Sequence, residues 1–82
     1  MRILVAEDNL ENQEIIRRRL ERAGHAVSIA ANGIEAVERA RNERPDLILM
    51  DISMPVMSGI EATQAIRRTS GIEATPIIAL TA

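Results

Sequence analysis

Eighty-two residues with 46% hydrophobic and 27% charged content describe one small folded domain with a modest core. A formal net charge of -2 offers no field for nucleic acid or an anionic membrane, and the lack of cysteine removes disulfides and thiolate metal sites, so the expected compartment is cytoplasmic. No Phe, Tyr or Trp is present to stack on bases, and all ten basic residues are Arg, which excludes a Schiff-base or P-loop lysine.

The opening MRILVAED is apolar for only four residues before Glu7, too short for a signal-peptide core or a membrane span. Within it, Arg2 to Ala6 reads as a first strand. Asn9 to Ala23 reads as a helix capped by Asn9, with Ile16, Leu20 and Ala23 on one stripe, and Gly24 ends it in a left-handed conformation. Ala26 to Ala30 is a second strand. Asn32-Gly33 opens a second helix through Glu43, with Val37 and Ala40 inward, and Pro45 blocks its continuation. Leu47 to Met50 is a third strand, Ser58 caps a third helix through about Arg68, Ser70 to Pro76 is loop, and Ile77 to Thr81 is a fourth strand. Alternating strands and helices, with continuously apolar strands, predict an α/β fold: a parallel sheet with helices on both faces and right-handed crossovers.

Ligand chemistry in such sheets gathers where strands end. Glu7 and Asp8 follow strand one, and Asp51 follows strand three. If those strands are neighbours, the carboxylates converge and repel one another, and a hard cation with oxygen ligands, Mg²⁺ above all, relieves the repulsion. Taken alone, Asp8 is better explained as an acid at a helix start. As a set of three, the acids favour a metal. His25, the sole histidine, reads as a turn residue, and Arg17-Arg18-Arg19 as a solvated helix face paired with Glu14, Glu21 or Glu11. Ile15 edges the core beside the acids, with a docking role as the second reading.

The segments VAEDN (5–9), GH (24–25), ANGIEA (31–36), PDLILMDISMPVMSGIEA (45–62) and PIIALTA (76–82) resemble the receiver domain of two-component response regulators, especially those attached to hybrid sensor kinases. The resemblance implies a flavodoxin-like receiver fold over residues 1–82, with strand order 2-1-3-4. It also implies phosphoryl transfer from phosphohistidine onto Asp51, with a histidine kinase or histidine phosphotransfer domain as partner. Glu7, Asp8, Asp51 and the main-chain carbonyl of Ser53 would hold Mg²⁺, and Thr81 would hydrogen-bond the phosphoryl group. Met54-Pro55 would shape the loop, and Gly59 would permit a close approach or an unusual dihedral.

Compared with the family pattern, a fourth helix, a fifth strand with its lysine and aromatic residue, and a fifth helix are missing from these residues. The expectation is therefore a truncated receiver whose fourth strand is an apolar edge, giving a homodimer or other homo-oligomer through strand four or through exchange of elements. Three functions compete. The first is a phosphoacceptor catalysing at most its own phosphorylation and dephosphorylation. The second is a signalling-silent fragment that folds by oligomerisation. A Mg²⁺-dependent phosphohydrolase ranks last, because DIS (51–53) lacks a second acid two residues after Asp51.

Overall fold

A computed structural model describes residues 1–80; Thr81, expected to end the fourth strand, lies outside the described residues. The elements follow in the order β1 (Arg2–Ala6), α1 (Leu10–Arg22), β2 (Ala26–Ala30), α2 (Gly33–Glu43), β3 (Leu47–Asp51), α3 (Gly59–Arg67) and β4 (Ile77–Leu80). All strand pairs are parallel, in the order β2-β1-β3-β4, as the expected flavodoxin-like topology requires. The third strand runs one residue further than the apolar run suggests, because Asp51 still pairs with Leu80.

Local chemistry sets the helix ends. Side chains of Asn9, Asn32 and Ser58 accept the backbone N–H of the third residue beyond each cap, and Ser58 and Glu61 form a reciprocal capping box. At the end of α1 the N–H of Gly24 reaches the Glu21 carbonyl and that of His25 the Leu20 carbonyl, a Schellman motif made possible by φ +92° at Gly24. Arg44 closes α2 in the left-handed region, φ 49°, immediately before Pro45.

Strand alternation divides the apolar residues between two faces. Leu4, Ala6, Ile48 and Met50 join Ala36 and Ala40 of α2 and Ala62 and Ile66 of α3 in the main core. Ile3, Val5, Glu7, Leu47, Leu49 and Asp51 point to the other face, where α1 packs over β2. That second layer is thinner. No residue of α1 is fully buried, and its half-buried stripe is Gln13, Ile16, Arg17 and Leu20.

Three side chains depart from expectation. Ala23 is exposed, since the helix has already ended at its carboxyl cap. Arg17 lies inward rather than on the solvated face, with its Nε enclosed and without a hydrogen-bond partner, while Arg18 pairs with Glu14 at 3.1 Å as foreseen. Ile72, in the segment read as loop, is 2% exposed and completes the core beneath α3, where the Arg67 guanidinium ties down the Glu73 and Thr75 carbonyls. No described helix is long and apolar enough to cross a membrane.

Candidate metal and phosphoryl site

Strand register brings the acids together. Ala6 pairs with Met50, so the next residues, Glu7 and Asp51, leave the sheet side by side on the face that carries α1. Carboxylate oxygens of Glu7, Asp8 and Asp51 all lie within 4.8 Å of one another. They open into a cleft of about 540 Å³ lined also by Asn9, Asn12, Ile16, Ser53 and Leu80.

Each acid is differently seated. Glu7 is 7% exposed, and its N–H donates to the Ala30 carbonyl at 2.9 Å, fixing its backbone to the end of β2. Its carboxyl is held above the ordinary carboxylate range, foremost by burial, then by the side chain of Asp51 beside it. Asn12 and the backbone at Asn9 draw it the other way through hydrogen bonds, and the Asp51 charge adds to the rise. Asp51 is half-buried, with Oδ1 accepting the Ser53 N–H at 3.1 Å. Asp8 is exposed at the mouth, with its N–H donated to Glu7 Oε2 at 3.0 Å.

The loop after Asp51 is built by close backbone approaches. Gly59 donates its N–H to the Ile52 carbonyl at 3.0 Å, and a β carbon at Gly59 would overlap the Asp51 carbonyl oxygen. Of the two reasons foreseen for this glycine, close approach is the one observed. The Gly33 N–H reaches the Met57 carbonyl at 3.0 Å, and a β carbon there would overlap Met57. Between these anchors the Met57 N–H bonds the Pro55 carbonyl at 2.7 Å, a γ-turn that holds Val56 at φ 69°.

The oxygen-only donor set, one member of it buried, suits Mg²⁺ and supplies the charge that a divalent cation would neutralise. Glu7, Asp8 and Asp51 converge as the sequence predicts, and Ser53 lies in the same cleft. Thr81 is outside the described residues. His25 sits apart, past the end of α1, with Nδ1 3.0 Å from the Met1 amino nitrogen. Residue-type reading passed over Asn12 and Gln13. Their signal is positional: amides in the first turn of a helix that starts immediately after a pair of acids.

A family model described as the response regulator receiver domain matches residues 3–82. Among curated proteins, the chain is 46% identical over 85 residues to hybrid signal transduction histidine kinase G of Dictyostelium discoideum, covering 100% of this chain and 2% of that one. It is 40% identical over 80 residues to the polar-differentiation response regulator DivK of Brucella anthropi, covering 98% of this chain and 65% of the relative. Among solved structures, the receiver domain of the sensor histidine kinase PA1611 of Pseudomonas aeruginosa PAO1, with magnesium coordinated in its active-site cleft, superposes with a TM-score of 0.96 at 46% identity. That match covers 99% of this chain and 66% of the other. The N-terminal domain of a response regulator receiver protein from Methanoculleus marisnigri JR1 gives 0.95 at 33% identity, over the same shares. The chain thus spans 65% of the length of this response regulator, 66% of each of these two structures and 2% of the hybrid kinase.

Proposed function

Because the chain belongs to the response regulator receiver domain family, we propose that it accepts a phosphoryl group from phosphohistidine onto Asp51, with Mg²⁺ held by Glu7, Asp8, Asp51 and the Ser53 carbonyl. The observation that carries this reading is the convergence of three carboxylates, from adjacent strand ends, within 4.8 Å. The Ser53 N–H holds Asp51 in one orientation, and the rigid end of β3 limits its movement, so attack starts from a prepared geometry. An Asp51 oxygen attacks phosphorus in line with the P–N bond. The electron pair of that bond leaves with the imidazole nitrogen, and Asp51 becomes an acyl phosphate. When bound, Mg²⁺ would neutralise the charge shared by the acids and the phosphoryl oxygens.

The partner in this reading is a histidine kinase or a histidine phosphotransfer domain, and the compartment is cytoplasmic. Leu10 and Ile15, 77% and 52% exposed on α1 beside the cleft, offer such a partner an apolar contact. Thr81 takes the role that the resemblance assigns it, a hydrogen bond to the phosphoryl group. The test is beryllofluoride with Mg²⁺ followed by NMR. Shift changes centred on Asp51 and lost in Asp51→Asn are expected; no response in the wild-type chain would overturn phosphoacceptance.

A second reading, a signalling-silent homo-oligomer, is favoured by one feature of β4. This outermost strand of the described sheet leaves Ile78 52% exposed, and an apolar groove of about 220 Å³ runs between it and α3, lined by Met50, Ile52, Ile60, Ile77 and Ala79. Sedimentation over a concentration series separates the readings. A monomer throughout contradicts pairing through strand four or by exchange of elements.

A further inference from the structure

Glutamate is longer than aspartate by one methylene, and its extra torsion has to be fixed before the carboxylate can meet a cation in one orientation. Two donors fix it in Glu7. The Asp8 N–H donates to Oε2 at 3.0 Å, and Asn12 Nδ2 donates to Oε1 at 3.1 Å. A carboxylate only accepts, so the amide of Asn12 must turn its NH₂ group toward it. Asn12 is itself held, since its backbone N–H donates to the Asn9 cap at 2.9 Å. One residue on, Gln13 Nε2 donates to the Glu7 carbonyl at 2.6 Å. The first turn of α1 therefore grips Glu7 by side chain and main chain together.

We propose that Asn12 is a positioning residue: by engaging Oε1 it makes Glu7 present one oxygen, rather than two, to a divalent cation, and so biases the cleft toward Mg²⁺ over Ca²⁺. The inference rests on the cation reading of Glu7, Asp8 and Asp51. Mg²⁺ requires six ligands in a tight octahedron at about 2.0–2.1 Å, whereas Ca²⁺ takes six to eight oxygens at about 2.3–2.6 Å and readily accepts both oxygens of one carboxylate. With each Glu7 oxygen already engaged by a donor, chelation through both would break or stretch one of those hydrogen bonds. Single-oxygen ligation leaves both in place. A neutral donor is also the right group here, because an acid at position 12 would accept rather than donate and would add a fourth negative charge.

The experiment measures Mg²⁺ and Ca²⁺ dissociation constants by calorimetry on the full chain, for wild type, Asn12→Ala, Asn12→Gln and Asp51→Asn, with folding checked by circular dichroism. In Asn12→Ala the ratio of Ca²⁺ to Mg²⁺ dissociation constants should fall about tenfold, the usual lower effect of losing a group that orients a metal ligand. Asn12→Gln, which keeps an amide donor, should restore part of it. Asn12 is exposed and its capping bond is made by the backbone, so both variants retain the helix start. An unchanged ratio in Asn12→Ala, beside Mg²⁺ binding that Asp51→Asn abolishes, overturns the positioning role and leaves the cation site standing. Mg²⁺ binding that survives Asp51→Asn undiminished overturns both.

Discussion

The backbone of Gly59 lies against the carbonyl oxygen of Asp51 with no room for a β carbon between them. The same glycine donates to the Ile52 carbonyl, so the start of α3 is fastened directly to the strand end that carries the Asp51 carboxylate. Gly59→Ala would force α3 and β3 apart. Because the obstructing atoms are backbone, no rotamer change can absorb the clash, and overpacking of this kind destabilises by about 1–3 kcal/mol. Urea denaturation should show a loss in that range together with weakened Mg²⁺ binding.

Asp51→Asn separates stability from cation binding. Removing one of three crowded negative charges relieves repulsion in the metal-free protein, on the order of 1 kcal/mol for a partly solvated pair. The variant should therefore melt higher than wild type in EDTA, yet gain less from added Mg²⁺. Paired thermal melts with and without the metal measure both effects.

The raised Glu7 carboxyl sets a pH dependence in the metal-free state. Below the unfolded value, near 4.5, the group is protonated in both states and contributes nothing. Between that value and the higher folded one, the native state keeps a proton the unfolded chain has lost, so each rise in pH favours unfolding. Above the folded value the loss is complete. Other carboxylates superimpose their own trends, and the difference between wild type and Glu7→Gln isolates this one. In EDTA that difference should open in favour of Glu7→Gln as pH rises from 4 to 8, and Mg²⁺ should narrow it.

Val56 sits at φ 69° and is 77% exposed, so its strain is offset by no buried contact of its own. A β-branched residue in this region costs about 1–2 kcal/mol, and glycine relieves it while adding about 0.5–1 kcal/mol of chain entropy to be lost on folding. Val56→Gly should come out more stable by somewhat under about 1 kcal/mol, read from the urea midpoint at constant m.

Much of this architecture is written locally. Asn9, Asn32 and Ser58 mark helix starts through bonds spanning three residues, Gly24 and Pro45 mark ends, and the apolar runs mark strands whose order the acids then exploit. What escaped local reading depends on distant partners. Ile72 is buried because its turn folds under α3, a placement that no periodicity in the loop announces. Arg17 turns inward because it lies four residues after Gln13 and three before Leu20, on the half-buried stripe of α1, which a run of three charges does not announce. Val56 carries a positive φ that nothing in valine favours; it is imposed by the bond between Pro55 and Met57. Asn12 gained its partner only when the acids and α1 were placed side by side.

The bond from the Gly33 amide to the Met57 carbonyl crosses from the start of α2 to the loop that leaves Asp51. A ligand that displaced that loop would strain this crossing as well, and its effect would then reach α2 without passing through β4. The Gly33 amide proton is thus a natural listening post: its rate of exchange with deuterium should change when the cleft is filled, even though the residue touches nothing inside it.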